Sequence, residues 1–222
     1  MSQTPPVPYK CIPLGVDVQK ENTNISAIGG YHHYRKDNMN VEKVEFVSTW
    51  STYLPNGFGE FFPFLIDFEV RDTPLKSIKR SNFAGMNKLT ILSIENTKLA
   101  SIPEDAFAEV VNLQELKIAK SQLRTFPPNF LLPLPKLRSF DAKYNRITKL
   151  DRDLFTDNPK IESINFNRNH IREIDINFQR FGKLIEVYLF KCACINSYYI
   201  KSSSRYTLSS LNMLVKKRCK KS

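Results

Sequence analysis

The chain of 222 residues is 41% hydrophobic and 25% charged, ordinary values for a folded soluble protein that argue against wholesale disorder. Lys and Arg outnumber Asp and Glu by 33 to 22, and the net charge of +11 favours encounters with anionic partners. No helix-turn-helix, zinc-finger or RNA-binding signature accompanies that charge, so no specific nucleic-acid recognition is expected, and the lack of any run of about 18 apolar residues predicts no membrane span.

The first ten residues, MSQTPPVPYK, hold no apolar signal core. The protein is therefore read either as cytosolic or as secreted with its signal peptide removed, and the repeats and cysteines favour the second. Pro5, Pro6 and Pro8 extend the first segment, Cys11 lies beside an Ile-Pro turn, and Asn24, Gly29 and Gly30 mark further turns. Residues 1–40 are predicted to form an N-terminal cap over the open end of a repeat array that begins at Val41. Asn24-Ile25-Ser26 is the one N-glycosylation sequon. His32 and His33, between Tyr31 and Tyr34, lack the further spaced ligands that zinc needs and read as cap packing or a surface aromatic cluster.

From Val41 the chain repeats. Apolar residues that open a strand fall at Val41, Leu65, Leu89, Leu113, Leu137 and Ile161, each 24 after the last, and then at Leu184 after 23. The fullest copy is 137–160, where Leu137, Phe140 and Ala142 are followed by Asn145, Ile147, Leu150 and Phe155. Phe140 and Ala142 alternate with Ser139, Asp141 and Lys143, the period of two that sends side chains to opposite faces of a strand. This is the pattern of a leucine-rich repeat. Residues 41–183 make six such units, and 184–222 make a last strand and a C-terminal cap with a basic tail. The fold class predicted is an α/β-type repeat solenoid: a horseshoe with a concave parallel sheet, an irregular convex side and two caps.

The register assigns each residue a place. The fourth and sixth positions of the seven strands, from Val44 with Phe46 to Val187 with Leu189, point inward and none is charged. Phe58, Phe83, Phe107, Phe130, Phe155 and Phe178 close successive arcs and should stack in the core. The ninth position is Thr49, Thr73, Thr97 and Ser121 before it becomes Asn145 and Asn169 and then Cys192. Hydroxyls reach less far than amides, so the N-terminal half of this ladder is expected to be the weaker. The third, fifth, seventh and eighth positions should face the concave side. There the early repeats place Glu45, Asp67, Glu69, Asp72, Glu95 and Glu115, an acidic strip; later ones place Lys117, Lys120, Lys143, Tyr144, Arg168, Tyr188, Phe190 and Lys191, with His170 just past its strand. Arginine and aromatic side chains dominate energetic hot spots, so the C-terminal half of this face is the predicted ligand site.

After Leu189 the repeat dissolves, and Leu208, Leu211, Met213 and Leu214 are spaced for a short amphipathic helix from Thr207 to Val215 that covers the last turn. Lys216, Lys217, Arg218, Lys220 and Lys221 form a terminal basic cluster. Convergent catalytic groups are sparse: His170 has no nucleophile at motif spacing, and the chain's seven glycines include no phosphate-cradling loop. No enzyme activity, cofactor or metal is expected.

The segments VEKVEF, LPNGFGEFFPFL, LKSIKRSNFAGMNKLTIL and IPEDAFAEVVNLQEL resemble the typical 24-residue class of extracellular leucine-rich-repeat proteins, most closely secreted insect members, over residues 41–219. The resemblance implies disulfide-bonded caps and binding of a protein or glycan, often in recognition or innate immunity. Cys194 stands where this class begins its terminal cap, which implies a Cys194–Cys219 bridge and leaves Cys192 as a buried substitute for the repeat asparagine; Cys192 with Cys219 is the alternative. Cys11 is about 30 Å from these cysteines across seven strands, beyond the reach of a bridge. The insect members carry a second cysteine in the N-terminal cap, where this chain reads YHHYRK, so Cys11 is expected to be free or to link a homodimer, for which an exposed sheet edge is a second route.

Three functions are expected from these features. The first is a secreted recognition module with an anionic protein or glycan ligand on the concave face. The second is a matrix protein that holds polyanions through its basic ends and convex cations, including Lys76, Lys79, Arg80 and Arg124. The third is a cytosolic scaffold with reduced thiols.

Overall fold

The computed structural model describes residues 8–13, 16–26, 36–202 and 207–219. Pro5, Pro6, Gly29, Gly30, the Tyr31–Tyr34 stretch with His32 and His33, and Lys220 and Lys221 lie outside the described residues. The strands are β1 (Lys10–Cys11), β2 (Lys43–Val47), β3 (Asp67–Arg71), β4 (Ile91–Glu95), β5 (Glu115–Ala119), β6 (Ser139–Asp141), β7 (Lys149–Leu150), β8 (Ser163–Asn165), β9 (Glu173–Ile174), β10 (Glu186–Leu189) and β11 (Ser197–Ile200). Nine of them form one sheet in the order β1-β2-β3-β4-β5-β6-β8-β10-β11, while β7 and β9 pair separately.

The seven repeat strands stand side by side, parallel and in register, with Phe68 opposite Val44 and Leu92, and Phe140 opposite Leu116 and Ile164. Both inward residues of every repeat strand are buried. The sheet is larger than the repeats alone predict, because each cap adds a strand: β1 pairs parallel with β2, and β11 pairs antiparallel with β10.

Each strand is entered and left by the same backbone device. Before it, the N–H of Leu65, Leu89, Leu113, Leu137, Ile161 or Leu184 closes a tight turn on the carbonyl three residues back, as in Leu89 N to Met86 O at 3.1 Å. After it, the eighth residue of the unit adopts a left-handed backbone: Ser48, Asp72, Asn96, Lys120, Tyr144, Arg168 and Lys191 all have φ between 51° and 57°. The N–H of the same residue carries the ladder on to the next unit, Asp72 N reaching Glu95 O, Lys120 N reaching Lys143 O and Tyr144 N reaching Asn167 O, at 2.8–3.2 Å. Lys191 has no further repeat beside it, and its N–H is met instead by Asn196 Oδ1 at 2.9 Å.

Inside the arcs the six predicted phenylalanines are all buried, each worth about 1.5–3 kcal/mol of apolar burial. Phe83, Phe107 and Phe130 succeed one another at centroid distances of 5.8 and 6.3 Å, and Phe140 links Phe130 to Phe155. The ninth positions are buried and divide as their chemistry dictates. Asn145 Nδ2 donates to Ile118 O and Ala142 O, and Asn169 Nδ2 to Ala142 O and Phe166 O, so each amide ties its own turn to the one before. The hydroxyls act in pairs, Thr49 with Thr73 at 3.0 Å and Thr97 with Ser121 at 2.8 Å. Cys192 completes the row: its thiol donates to Phe166 O at 3.3 Å, the carbonyl an asparagine would use, and burial pushes its pKa up to about 11.

The N-terminal segment runs along the first turn like an incomplete repeat, with Val18 buried and Thr52 N, Ile25 N and Asn56 N bonded across to Val18 O, Asn56 O and Thr23 O. At the other end a helix (Leu208–Arg218) is capped by Thr207 and held by the Cys194–Cys219 disulfide, whose Cα atoms are 5.2 Å apart. The helix is longer than the pattern predicts; Leu211 and Val215 are buried and Leu208 and Leu214 pack against the core, whereas Met213 points outward. Asn212 fixes it to the last arc by accepting from Phe178 N and donating to Asn177 Oδ1.

Gly59 marks the closest approach of two arcs. A Cβ on it would stand 2.3 Å from Ala84 O and 2.5 Å from Gly85 C, backbone atoms that cannot swing aside. Gly59→Ala should therefore lower the unfolding free energy by about 2–3 kcal/mol, read as a reduced urea midpoint. Gly182→Ala, whose Cβ would meet nothing within 4 Å, should stay within about 0.5 kcal/mol of the parent.

Candidate functional site

The solvent face of the sheet carries the third and fifth residues of each strand, and in the N-terminal half it is an ion-pair lattice rather than an acidic strip. Lys43, on β2, reaches Asp67 at 2.9 Å, Glu69 at 3.3 Å and Glu45 at 3.6 Å, while Lys10 reaches Glu45 from the cap strand. Arg71 bonds both Glu69 and Asp72, and Asn96 Nδ2 donates to Asp72 Oδ1 at 2.7 Å. The hydrogen bond from Asn96, reinforced by Arg71, holds the Asp72 carboxyl below its ordinary range. At Glu69 burial would raise the pKa, but Arg71 and Lys43 together outweigh it and hold the carboxyl low. The acidic character expected of this half is thus reduced, because Glu45, Asp67, Glu69 and Asp72 are paired with Lys10, Lys43 and Arg71.

The C-terminal half is different. Lys120, Lys143, Tyr144, Arg168 and Phe190 come together around an open hollow of about 630 Å³. Strands β5, β6, β8 and β10 supply them through the ends of four consecutive units. Tyr144 is 44% exposed, and the Arg168 guanidinium lies over its ring at 5.0 Å from the centroid. Phe190 is half-buried and packs on Tyr198 of β11 with centroids 5.1 Å apart, so the cap builds one wall. Lys143 shares its charge with Asp141 at 3.1 Å. Among the described residues no carboxylate lies within ion-pair distance of Lys120, Arg168 or Lys191.

The remaining expected residues stand apart. Lys117 is paired with Glu95 further up the sheet. Tyr188 is half-buried and donates its hydroxyl to Glu186 Oε2 at 2.8 Å; burial first and then Glu186 raise its pKa. His170 is exposed on the turn after Asn169, outside the hollow. The hollow also includes Lys191, expected on this face, and three residues outside the expected set: Asn165, Asn167 and Asn196. Asn165 and Asn167 stand at the fifth and seventh positions of their unit, so register would have found them. Asn196 comes from the cap, where no register exists.

A family model for the leucine rich repeat matches residues 67–123 and 87–147. No curated protein matches the chain in sequence. Among solved structures, two of the Toll–Spatzle complex, a molecular hub in Drosophila development and innate immunity, contain a chain of similar fold. One superimposes with a TM-score of 0.62 at 18% identity, covering 71% of this chain and 20% of that one. In the glycosylated form the TM-score is 0.55 at 20% identity, covering 61% and 18%. The chain thus spans about a fifth of the length of the chains it matches, and the likeness is one of fold: a leucine-rich-repeat solenoid.

The site's geometry carries two expectations. Left-handed backbone is uncomfortable for Tyr and Arg and tolerable for Asn, so Tyr144→Asn and Arg168→Asn should each raise the unfolding free energy by about 0.5–1 kcal/mol, measured in urea. In the lattice, a depressed carboxyl contributes stability that is present above its unfolded pKa of about 4.3 and lost as pH falls through the lower folded value. The decline in urea midpoint between about pH 5 and 3 should therefore be shallower in Glu69→Gln than in the parent.

Proposed function

We propose that this leucine-rich-repeat solenoid is an extracellular, non-enzymatic recognition module that binds a partner protein in the hollow between Lys120 and Phe190. The observation that carries the reading is convergence: six of the nine residues expected on this half of the face meet in one depression. Tyr144 and Arg168 bring the large contact area and directional bonds that concentrate binding energy. Broader roles in innate immunity rest on likeness of fold alone.

The compartment is argued from the C-terminal cap. A disulfide that pins the last helix persists in oxidising surroundings and would be reduced in the cytosol, which weighs against a cytosolic scaffold. Asn24 is exposed, its Oδ1 accepting from Asn56 Nδ2 at 3.2 Å, and is open to glycosylation. The matrix reading is weakened on the convex side, where Lys79 and Arg80 are engaged by Glu21 and Glu109. A covalent dimer gains no support, since Cys11 packs half-buried against the core and burial raises its pKa.

Affinity capture from the extracellular fluid of the source tissue tests the reading. The parent should retain a partner that the double variant Tyr144→Ala, Arg168→Ala loses by at least about tenfold, with an unchanged circular dichroism spectrum. Equal retention by both would remove the hollow as the binding site.

A further inference from the structure

The three asparagines in the hollow share an orientation that its other residues explain. Asn165 Oδ1 accepts from Asn167 N at 3.0 Å, Asn167 Oδ1 from Phe190 N at 2.6 Å, and Asn196 Oδ1 from Lys191 N at 2.9 Å. A backbone N–H can only donate, so each amide is locked with its oxygen toward the chain. Each oxygen thereby commits one lone pair and its direction to the chain, and the NH₂ group, a donor without acceptor capacity, is left without a partner among the described residues. The backbone carbonyls around the rim are already engaged: Lys143 O accepts from Lys120 N, Asn167 O from Tyr144 N and Phe190 O from Arg168 N. Lys120, Arg168 and Lys191 add three cations without a carboxylate partner among the described residues. Fixed donors and positive charge face a ligand here, with no side-chain amide oxygen turned outward.

A second observation points the same way. The left-handed eighth positions early in the array are Ser48, Asp72 and Asn96, small polar side chains, two of which tolerate that backbone well; in the hollow they are Lys120, Tyr144, Arg168 and Lys191. Long cationic and aromatic side chains are thus held in a conformation that disfavours them, at the units where donors collect, and such strain gathers at binding sites.

We infer that the hollow takes an acidic, extended segment of the partner protein, whose carboxylates meet the three amide NH₂ groups and the three cations while an apolar side chain of the same segment lies on Tyr144. This rests on the hollow being the binding site. A carboxylate is an acceptor-only anion and so matches a surface rich in donors, and charge-assisted bonds of this kind are about twice as strong as neutral ones. The sulfates of a glycan share that chemistry. A polypeptide is favoured because the exposed ring face of Tyr144 and the half-buried Phe190 ask for an apolar group within a few ångströms of the charges, which mixed acidic and apolar side chains supply from one short stretch.

The test is fluorescence anisotropy with the purified chain. The probes are a fluorescein-labelled polyglutamate peptide with one central phenylalanine, its glutamine counterpart, and a labelled heparin oligosaccharide. The glutamate peptide should bind at least about tenfold more tightly than the glutamine peptide, whose neutral amide oxygens accept weaker hydrogen bonds and carry no charge for the cations. Asn167→Asp and Asn196→Asp keep the inward oxygen that holds the fold and replace the presented donor by an acceptor. Each should weaken the glutamate peptide by about tenfold or more with an unchanged thermal midpoint. Asn87→Asp, the same charge change on the opposite margin of the sheet, should stay within about twofold. Equal binding of the two peptides, or undiminished binding by the aspartate variants, would overturn the inference. Tighter binding of heparin, lost in the same variants, would overturn the protein segment in favour of a sulfated glycan. Failure here alongside loss of capture in Tyr144→Ala, Arg168→Ala would leave the site in place with a different ligand chemistry.

Discussion

The structure depends on one repeated hand-over: the N–H of the residue that ends each strand must reach a carbonyl of the neighbouring unit. The same residue adopts the left-handed backbone that leads the chain out of the sheet, and seven residues bear that conformational penalty at intervals of 24 or 23. The ladder this creates keeps the strands in register, and register puts the fourth and sixth residues inside and the third and fifth outside. Core, surface map and hollow all derive from it. Stability is then close to a sum of unit and neighbour terms, with the buried phenylalanines and the ninth-position polar row contributing at each junction.

The two halves of the array meet this constraint with different chemistry. Early units place Ser, Asp and Asn at the strained position and knit their sheet-face charges together around Lys43 and Arg71. Late units place Lys, Tyr and Arg there and leave their cations facing solvent. The ninth position changes one unit later, from hydroxyls paired as far as Ser121 to the amides of Asn145 and Asn169, which bond two turns at once. The half of the face that is least self-satisfied is therefore carried by the more firmly tied half of the ladder, and a binding surface gains from being held rigid.

Periodicity makes most of this legible. The interval of 24 places the seven strands, their inward pairs and the arc phenylalanines, because burial imposes the same residue type at the same phase in every unit. Charge is less legible, since the register places Glu45, Asp67 and Glu69 on the face while the cations that neutralise them, Lys43 and Arg71, share the same strands. The hollow is half visible. Lys120, Lys143, Tyr144, Arg168 and Phe190 announce themselves by charge and aromaticity, whereas Asn165 and Asn167 matter for which end of an amide points outward, and that is decided by a neighbour's N–H. The cap strands β1 and β11 carry no repeat phase, so neither they nor Asn196 could be placed from the pattern.

Asn196 has a consequence for the architecture as a whole. By giving Lys191 the acceptor that another unit would have supplied, it lets a side chain imitate one more repeat and ends the array without disturbing its last turn. The same residue lines the hollow. The terminator and the proposed recognition surface are therefore a single module, built from the last units and their cap. An array joined to such a module can gain or lose upstream units, altering its reach, while the surface at its end stays the same.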